Sequence, residues 1–376
     1  TVEWTLRRRI GFGSILALPL IWSPAMGMGF YNFCLSLALA LFAFALWVRC
    51  AAWRWRWLPF LPIGLAVWLC HVSGWGVLGI LVFGYEWWRR KSLAALVAPW
   101  PLALPVVPML MAGGVAGSLA YGERLLYYKS HIWLECLRDQ ALLFDIVSLA
   151  IVIVIVSRAL RRRAIDGRLG WAALLLFVAT IVMPRHLGGG DFADYRLTSV
   201  CLMVACVAIA KPAPRWTMLL AAVFVMTRIG VTSVAWHDNS RKLEHVLKVL
   251  DHVPRGARVA AAVGIAKPIW TLDPFEHVPS YATLRRGALV NTHFAIPGVH
   301  MLYLKEGGPD FADPSHRVFY DRHEVVDLGD FAPARGMDYL WYVGDRPPVR
   351  LPAGARVIYR APGTLLARLA NAPAPR

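Results

Sequence analysis

The chain reads as a mainly α-helical, polytopic transmembrane bundle followed by a small α/β or α+β domain outside the membrane. Three observations carry this reading. Of the 376 residues, 58% are hydrophobic and 17% are charged, with a mean hydropathy of +0.51, whereas an ordinary soluble domain carries about 25% charged residues. Apolar segments recur at 10–24, 29–48, 58–84, 92–116, 140–158, 169–184, 197–211 and 216–236. Several approach the ~20 residues that cross a hydrocarbon core of about 30 Å. From His237 the composition becomes mixed. The expected division is a transmembrane helical domain over 1–236, with eight or nine membrane segments, and a soluble domain over 237–376.

Charge sets the expected orientation. The net charge is +17; residues 1–236 hold 22 Lys/Arg against 9 Asp/Glu, and the remainder holds 18 against 14. The excess lies in short loops beside apolar segments, at 7–9, 49–56, 89–91, 158–168 and 211–215, as the positive-inside rule requires of cytoplasmic loops. A single crossing by 58–84 would put one of its flanking basic clusters outside. Two short helices meeting at His71, within "HVSGWG" (71–76), return the chain to the same side, and a kinked single span is the alternative. With the hairpin, loops 24–28, 117–139 and 184–196 and the tail lie outside. Nucleic acid is excluded as a partner, because the soluble tail is nearly charge-balanced and has no basic face to offer.

The six cysteines, Cys34, Cys50, Cys70, Cys136, Cys201 and Cys206, form no CxxC pair. They read as small hydrophobes, with no metal site. In the tail, Asp238, Asn239 and Ser240 suit a helix start, and Leu243, Val246, Leu247 and Leu250 recur at helical spacing. Strands are expected within 254–264, 337–344 and 355–361. Histidines 237, 245, 252, 277, 293, 300, 316 and 323 show no HExxH spacing and are expected on an ordinary surface.

The chemistry concentrates in "PRHLGGGDFADYRL" (184–197). Arg185, His186 and Arg196 offer donors to an anion, and arginine's planar fork matches phosphate oxygens. Gly188, Gly189 and Gly190 would let backbone N–H groups approach that anion. Asp191 and Asp194 would orient the arginines or hold a divalent cation. The loop 118–140 mixes Glu123, Lys129 and His131 with Leu, Tyr and Trp, as an interfacial helix does. Its Glu123 or Lys129 would join a polar cleft with Arg196. Asp145 and Arg228 fall inside expected spans, where ionisable groups are costly unless paired or functional. His71 would stand at the outer tip of the hairpin.

These stretches, with "GMGFYNFCLSLALALFAFALWVR" (27–49) and "LEHVLKVLDHVPRGARVAAAV" (243–263), resemble the GT-C superfamily of membrane glycosyltransferases. "HVPSYATLRRGALVNTHFAIPG" (277–298) is similar to segments in the tails of uncharacterised proteobacterial membrane proteins of that class. The resemblance implies a bacterial inner-membrane protein with a periplasmic tail, which transfers a sugar from a polyprenyl-phosphate donor to a cell-envelope acceptor. It places the donor-phosphate arginine at Arg196, supported by Arg185 and His186. It also implies a catalytic acid in the first external loop, for which Glu3 is a poor match. The chain, which starts at Thr1, is accordingly expected to be a piece of a longer protein whose catalytic loop lies upstream. A transporter or flippase for a lipid-linked or anionic solute, or an envelope-assembly protein, are the competing expectations.

Overall fold

A computed structural model describes residues 1–111, 119–187, 190–293, 295, 303–305, 309–311 and 314–370. The chain divides into two units, Thr1–Thr232 and Ser233–Arg376. The first is helical and the second is built on a sheet.

The first unit opens with short pieces, α1 (Val2–Arg7), α2 (Phe12–Leu16) and α3 (Pro24–Gly27). The expected span 10–24 is therefore not one helix: Pro19 and Pro24 lack the N–H donors that would continue it. α4 (Tyr31–Arg49) runs unbroken, followed by α5 (Trp57–Cys70) and α6 (Val72–Arg90). The segment 58–84 is thus two helices, interrupted by extended backbone at His71 (φ −172°, ψ 133°). The chain folds back there. Arg56, at the start of α5, meets Glu86, near the end of α6, at 2.7 Å. Glycine sets the close helix approaches: a Cβ on Gly74 would overlap Ser36 of α4, and one on Gly84 would overlap Ala172.

The expected span 92–116 is also corrected. Pro99, Pro101, Pro105 and Pro108 break it into 3-10 turns at Leu93–Ala95 and Trp100–Ala103 and a short α7 (Val106–Met111); residues 112–116 lie outside those described. Then come α8 (Leu125–Leu134), α9 (Leu142–Arg161), α10 (Gly167–Val182), α11 (Tyr195–Val207) and α12 (Arg215–Leu247). α12 runs straight through 238–240, so Asp238, Asn239 and Ser240 start no new helix. The preceding turn already accepts from their N–H groups. By length and composition, three helices suffice to cross a membrane: Tyr31–Arg49, Leu142–Arg161 and Arg215–His252. α6 is as long as α4 but less apolar, and the other apolar helices are shorter, so among the described residues length and composition account for fewer spans than the eight or nine expected.

Packing sorts the loops by charge. Arg7 binds Asp166 at 3.2 Å and the carbonyl of Val207 at 2.9 Å. Arg168 donates to the carbonyl of Leu6 at 3.0 Å, and Lys211 to that of Arg162 at 3.2 Å. Gly167 packs against the Trp88 ring, which brings Arg89 and Arg90 to the same end. His71, Lys129 and the loop 184–196 occupy the opposite end.

The second unit holds strands β1 (Arg258–Ala266), β2 (Leu289–Val290), β3 (Arg317–Tyr320), β4 (Tyr339–Val343), β5 (Arg356–Ala361) and β6 (Thr364–Arg368). The main order is β2-β1-β4-β6-β5, with β3 also on β1; β1 pairs parallel with β2, β3 and β4, and β6 antiparallel with β4 and β5. The strands expected at 254–264, 337–344 and 355–361 are β1, β4 and β5. β5 and β6 join through Pro362 and Gly363, and Gly363 (φ 76°) supplies the left-handed residue that a proline–glycine turn needs. β1 is covered on both faces, as a parallel strand should be. Val259, Ala261 and Val263 face Leu247, Leu250 and Ala282 on one side. Ala260 and Ala262 face Phe311, Val326 and Leu328 on the other.

β2 and β3 share one edge of β1 and leave a gap at Ala261. The Asn291 side chain fills it, accepting from the Ala261 N–H at 2.7 Å and donating to its C=O at 3.0 Å. Asn291 is fully buried. Each buried group left unpaired costs about 1–3 kcal/mol. Asn291→Ala should therefore lower the stability of the second unit by about 2–5 kcal/mol, read as a drop in the thermal unfolding midpoint of the full chain.

Candidate functional site

The polar end of the first unit is assembled around two carboxylates. Asp194 caps α11, accepting from the Tyr195 N–H at 2.8 Å, and is fully buried. Its second oxygen meets Lys129 Nζ at 2.5 Å, and the Tyr128 hydroxyl donates to the first at 2.9 Å. Burial, reinforced by the Asp194 charge, pushes the Tyr128 phenol far up, so it stays a donor. Lys129 also donates to the carbonyls of Thr180 (2.8 Å) and Met183 (2.5 Å). One ammonium thereby ties α8 to the end of α10 and the start of α11.

Asp191 organises the loop 184–196. Arg185 grips it with Nε at 2.9 Å and Nη2 at 3.0 Å, and His186 Nδ1 lies 3.3 Å from the same carboxylate. The hydrogen bonds to Asp191 hold the Arg185 pKa above its ordinary value. The Arg185 guanidinium also lies over the rings of Phe192 (4.6 Å) and Tyr128 (5.4 Å). Phe192 takes a left-handed φ of 59°, a conformation that costs a bulky residue of order 1–3 kcal/mol and clusters at functional sites. The Asp191 carboxylate repays part of this by accepting from the Phe192 N–H at 2.8 Å. Gly188 and Gly189 lie outside the described residues.

Arg196 sits differently. Its Nη2 donates to the Asp191 carbonyl at 3.0 Å, and its guanidinium lies over the Phe30 ring at 4.0 Å. Nη1 stands 2.7 Å from His71 Nε2, and Nε is buried with no partner. Every other buried or half-buried Arg or Lys of the first unit has a carboxylate within 4.0 Å. Arg196 has none among the described residues.

The contact with His71 is short of an acceptor. His71 Nδ1 faces the Ser73 N–H at 3.0 Å, and Nε2 faces the Arg196 N–H at 2.7 Å. A neutral imidazole has one acceptor nitrogen, and an imidazolium has none. If Nδ1 accepts from Ser73, then Nε2–H points at the guanidinium; if Nε2 accepts, then Nδ1–H points at the Ser73 N–H. Either tautomer sets two donors face to face. An anionic oxygen beside His71 Nε2 and Arg196 would accept from both and relieve the conflict.

An apolar groove of about 750 Å³ starts one helical turn away, at Trp75. Gly79 and Phe83 of α6, Trp100, and Val178 and Val182 of α10 also line it. Its end at Val182 adjoins the polar cluster, since the Tyr121 hydroxyl donates to the Val182 carbonyl at 2.9 Å.

The residues expected at the site divide accordingly. Arg196 and His71 come together, although 125 positions apart. Arg185 spends its charge on Asp191, beside which His186 also lies, and Lys129 spends its own on Asp194. Each acid therefore faces its own basic partner, and the two do not form a joint cation site. Glu123 is exposed in the turn before α8 and pairs with no described residue. Asp145 and Arg228 form a separate buried pair at 3.2 Å, and Arg228 donates to the Leu137 carbonyl at 3.0 Å. Phe30 and Tyr128 were not expected at the site; the aromatic runs "GFYN" and "LLYYK" were the available signal. The tail histidines are not uniformly on the surface either. His316 is fully buried, with its ring centroid 5.6 Å from that of His277; His300 lies outside the described residues.

No protein-family model matches the chain, and searches of the curated proteins and of the solved structures return no match.

The Lys129–Asp194 pair is nearly solvent-free, with side chains 11% and 0% exposed. Breaking a buried pair costs about 3–5 kcal/mol. Lys129→Met should lower stability by that amount, and Asp194→Ala by about 1 kcal/mol more through the lost helix cap, measured by thermal unfolding of the full chain in detergent.

Proposed function

We propose that the first unit binds the phosphate of a polyprenyl-phosphate-linked sugar, as the donor half of an integral membrane glycosyltransferase. The carrying observation is the donor pair His71–Arg196, which among the described residues is one acceptor short and has no carboxylate within 4.0 Å. A phosphate oxygen there accepts from both side chains and supplies the missing negative charge. The apolar groove at Trp75 is the place for the prenyl chain. When the anomeric C–O bond to phosphate breaks, charge grows on the leaving phosphate. Arg196 would stabilise it. The sugar carbon bonds to an acceptor hydroxyl oxygen, and the hydroxyl proton passes to a base; no residue of this chain is assigned that role, because the Asp191 carboxylate is held by Arg185 and His186.

Placing the polar end outside the cytoplasm, at the periplasmic face of a bacterial inner membrane, rests on the basic loops gathered at the other end. The shorter apolar helices α5, α10 and α11 would then complete crossings that helix length alone does not establish.

In full-length protein, Arg196→Ala should abolish transfer of radiolabelled sugar from a polyprenyl-phosphate donor while expression persists. Arg196→Lys should restore little, because a point charge cannot serve both Asp191 and phosphate in the arginine's planar geometry. Unchanged transfer in Arg196→Ala removes Arg196 from the site. Saturable polyprenyl phosphate binding without transfer, with movement of the lipid between leaflets, identifies a flippase instead.

The orientation has its own test. After Cys34, Cys50 and Cys70 are replaced by alanine, the remaining native thiols are buried. A membrane-impermeant maleimide should then label Glu123→Cys from the periplasmic side, and Arg162→Cys only after the membrane is opened. The reverse pattern inverts the topology.

A further inference from the structure

The second unit carries a cluster that the lipid-phosphate reading does not use. Glu276 and His277 precede the 3-10 turn Val278–Ser280, and His316 immediately precedes β3. His316 is fixed by the sheet, since its carbonyl accepts from the Val263 N–H of β1 at 2.7 Å. The two loops, far apart in sequence, converge there. His277 Nε2 lies 3.8 Å from Glu276 Oε1, and His316 Nε2 lies 3.9 Å from the same oxygen. One ligand atom from each of the three residues lies within 4.8 Å of the other two.

We propose that Glu276, His277 and His316 form a divalent transition-metal site with a fourth position open to water or another ligand. Tetrahedral zinc with bonds of about 2.0–2.1 Å sets its ligand atoms about 3.4 Å apart, so the two His–Glu separations must close by about half an ångström and the two imidazoles, within 4.8 Å of each other, by at most about 1.4 Å. Two imidazoles with one carboxylate are a donor set that suits Zn²⁺ above Mg²⁺ or Ca²⁺, which prefer oxygen ligands. Three protein ligands leave the fourth position that exchangeable zinc sites keep. Solvent reaches it through His277, whose side chain is 42% exposed.

The opposing charge is Arg317, which donates to Glu276 Oε1 through Nε at 2.5 Å and also through Nη2. It is 35% exposed, so water screens its repulsion of a metal ion. Its bonds also serve the site: carboxylate ligands are commonly held by an outer hydrogen-bond partner. The terminal torsion of Glu276 is soft, so its second oxygen can take over Arg317 while Oε1, which both imidazoles face, binds the metal.

The test uses the full chain in detergent, without a polyhistidine tag, stripped by chelator and titrated with Co²⁺. One equivalent should bind, with the visible absorption of a four-coordinate ion, and Zn²⁺ should displace it. His277→Ala and Glu276→Gln should each weaken binding by more than about 100-fold, since losing even an outer partner costs about 10–100-fold. Both positions are partly exposed, so these variants should keep the wild-type unfolding profile even where His316→Ala does not fold. Wild type that binds Co²⁺ no more tightly than His277→Ala overturns the proposal, as does binding without the four-coordinate spectrum. Sugar transfer plays no part in this readout, so the two functional readings stand or fall separately.

Discussion

A carboxylate with no exposure to solvent, Glu86, governs the geometry of the helical unit. It accepts from Arg56 at 2.7 Å and from the Trp47 indole at 3.0 Å, and takes Arg89 and Arg90 at 3.0 and 2.9 Å. A charge so placed is costly without partners, so α4, the start of α5 and the end of α6 must converge on it. With the basic ends of α5 and α6 clasped, the bend between them points to the opposite end. His71 occupies that bend, with its ring centroid 5.6 Å from that of Phe33 in α4. The position of His71 against Arg196 follows from a carboxylate at the far end of the hairpin.

The same logic separates holding residues from binding residues at the polar end. A buried cation matched by a carboxylate is a finished contact, and removing either partner destabilises the fold. Lys129–Asp194 and Arg185–Asp191 are finished in this sense. They draw α8, α10, α11 and the loop 184–196 together, and so place Arg196. Arg196 itself is unfinished, held by one carbonyl and one ring face while its remaining donors face His71 or nothing. A side chain that serves only the fold would gain by acquiring an acid, and among the described residues Arg196 has none within 4.0 Å.

Much of this was legible in the sequence, and the failures have physical causes. The fold-back at 58–84 followed from counting basic residues on either side of "HVSGWG", because charge asymmetry acts across a whole membrane and survives the loss of local detail. β1, β4 and β5 followed from short apolar runs bounded by glycine and proline. The spans at 10–24 and 92–116 failed because hydropathy ignores proline, which broke both. The capping signal at 238–240 failed because Asp, Asn and Ser favour helix starts only where N–H groups lack partners, and α12 was already supplying them. Arg196 stood out as a residue, yet its partner did not: His71 lies 125 positions away, and nothing local encodes a contact at that range. His277 and His316 were read singly for the same reason, since two loops far apart in sequence bring their rings to 5.6 Å.

The broken segment 93–108 bears on the groove beside it. Irregular backbone at membrane depth is tolerated only where protein covers it or where it borders a cavity. Here the Trp75 indole donates to the Leu102 carbonyl at 2.7 Å, and the approach of α5 is close enough that a Cβ on Gly64 would press on Leu102. The hairpin thus satisfies this backbone from one side, and the groove lies along the α6–α10 side. An unbroken helix through 93–108 would have packed along α6 as a rod and presented ridges to it. The four prolines keep the segment from doing so, and an apolar groove lies where a helix interface would otherwise stand. The proline-rich sequence that defeats a simple span is therefore what leaves the groove between α6 and α10 open.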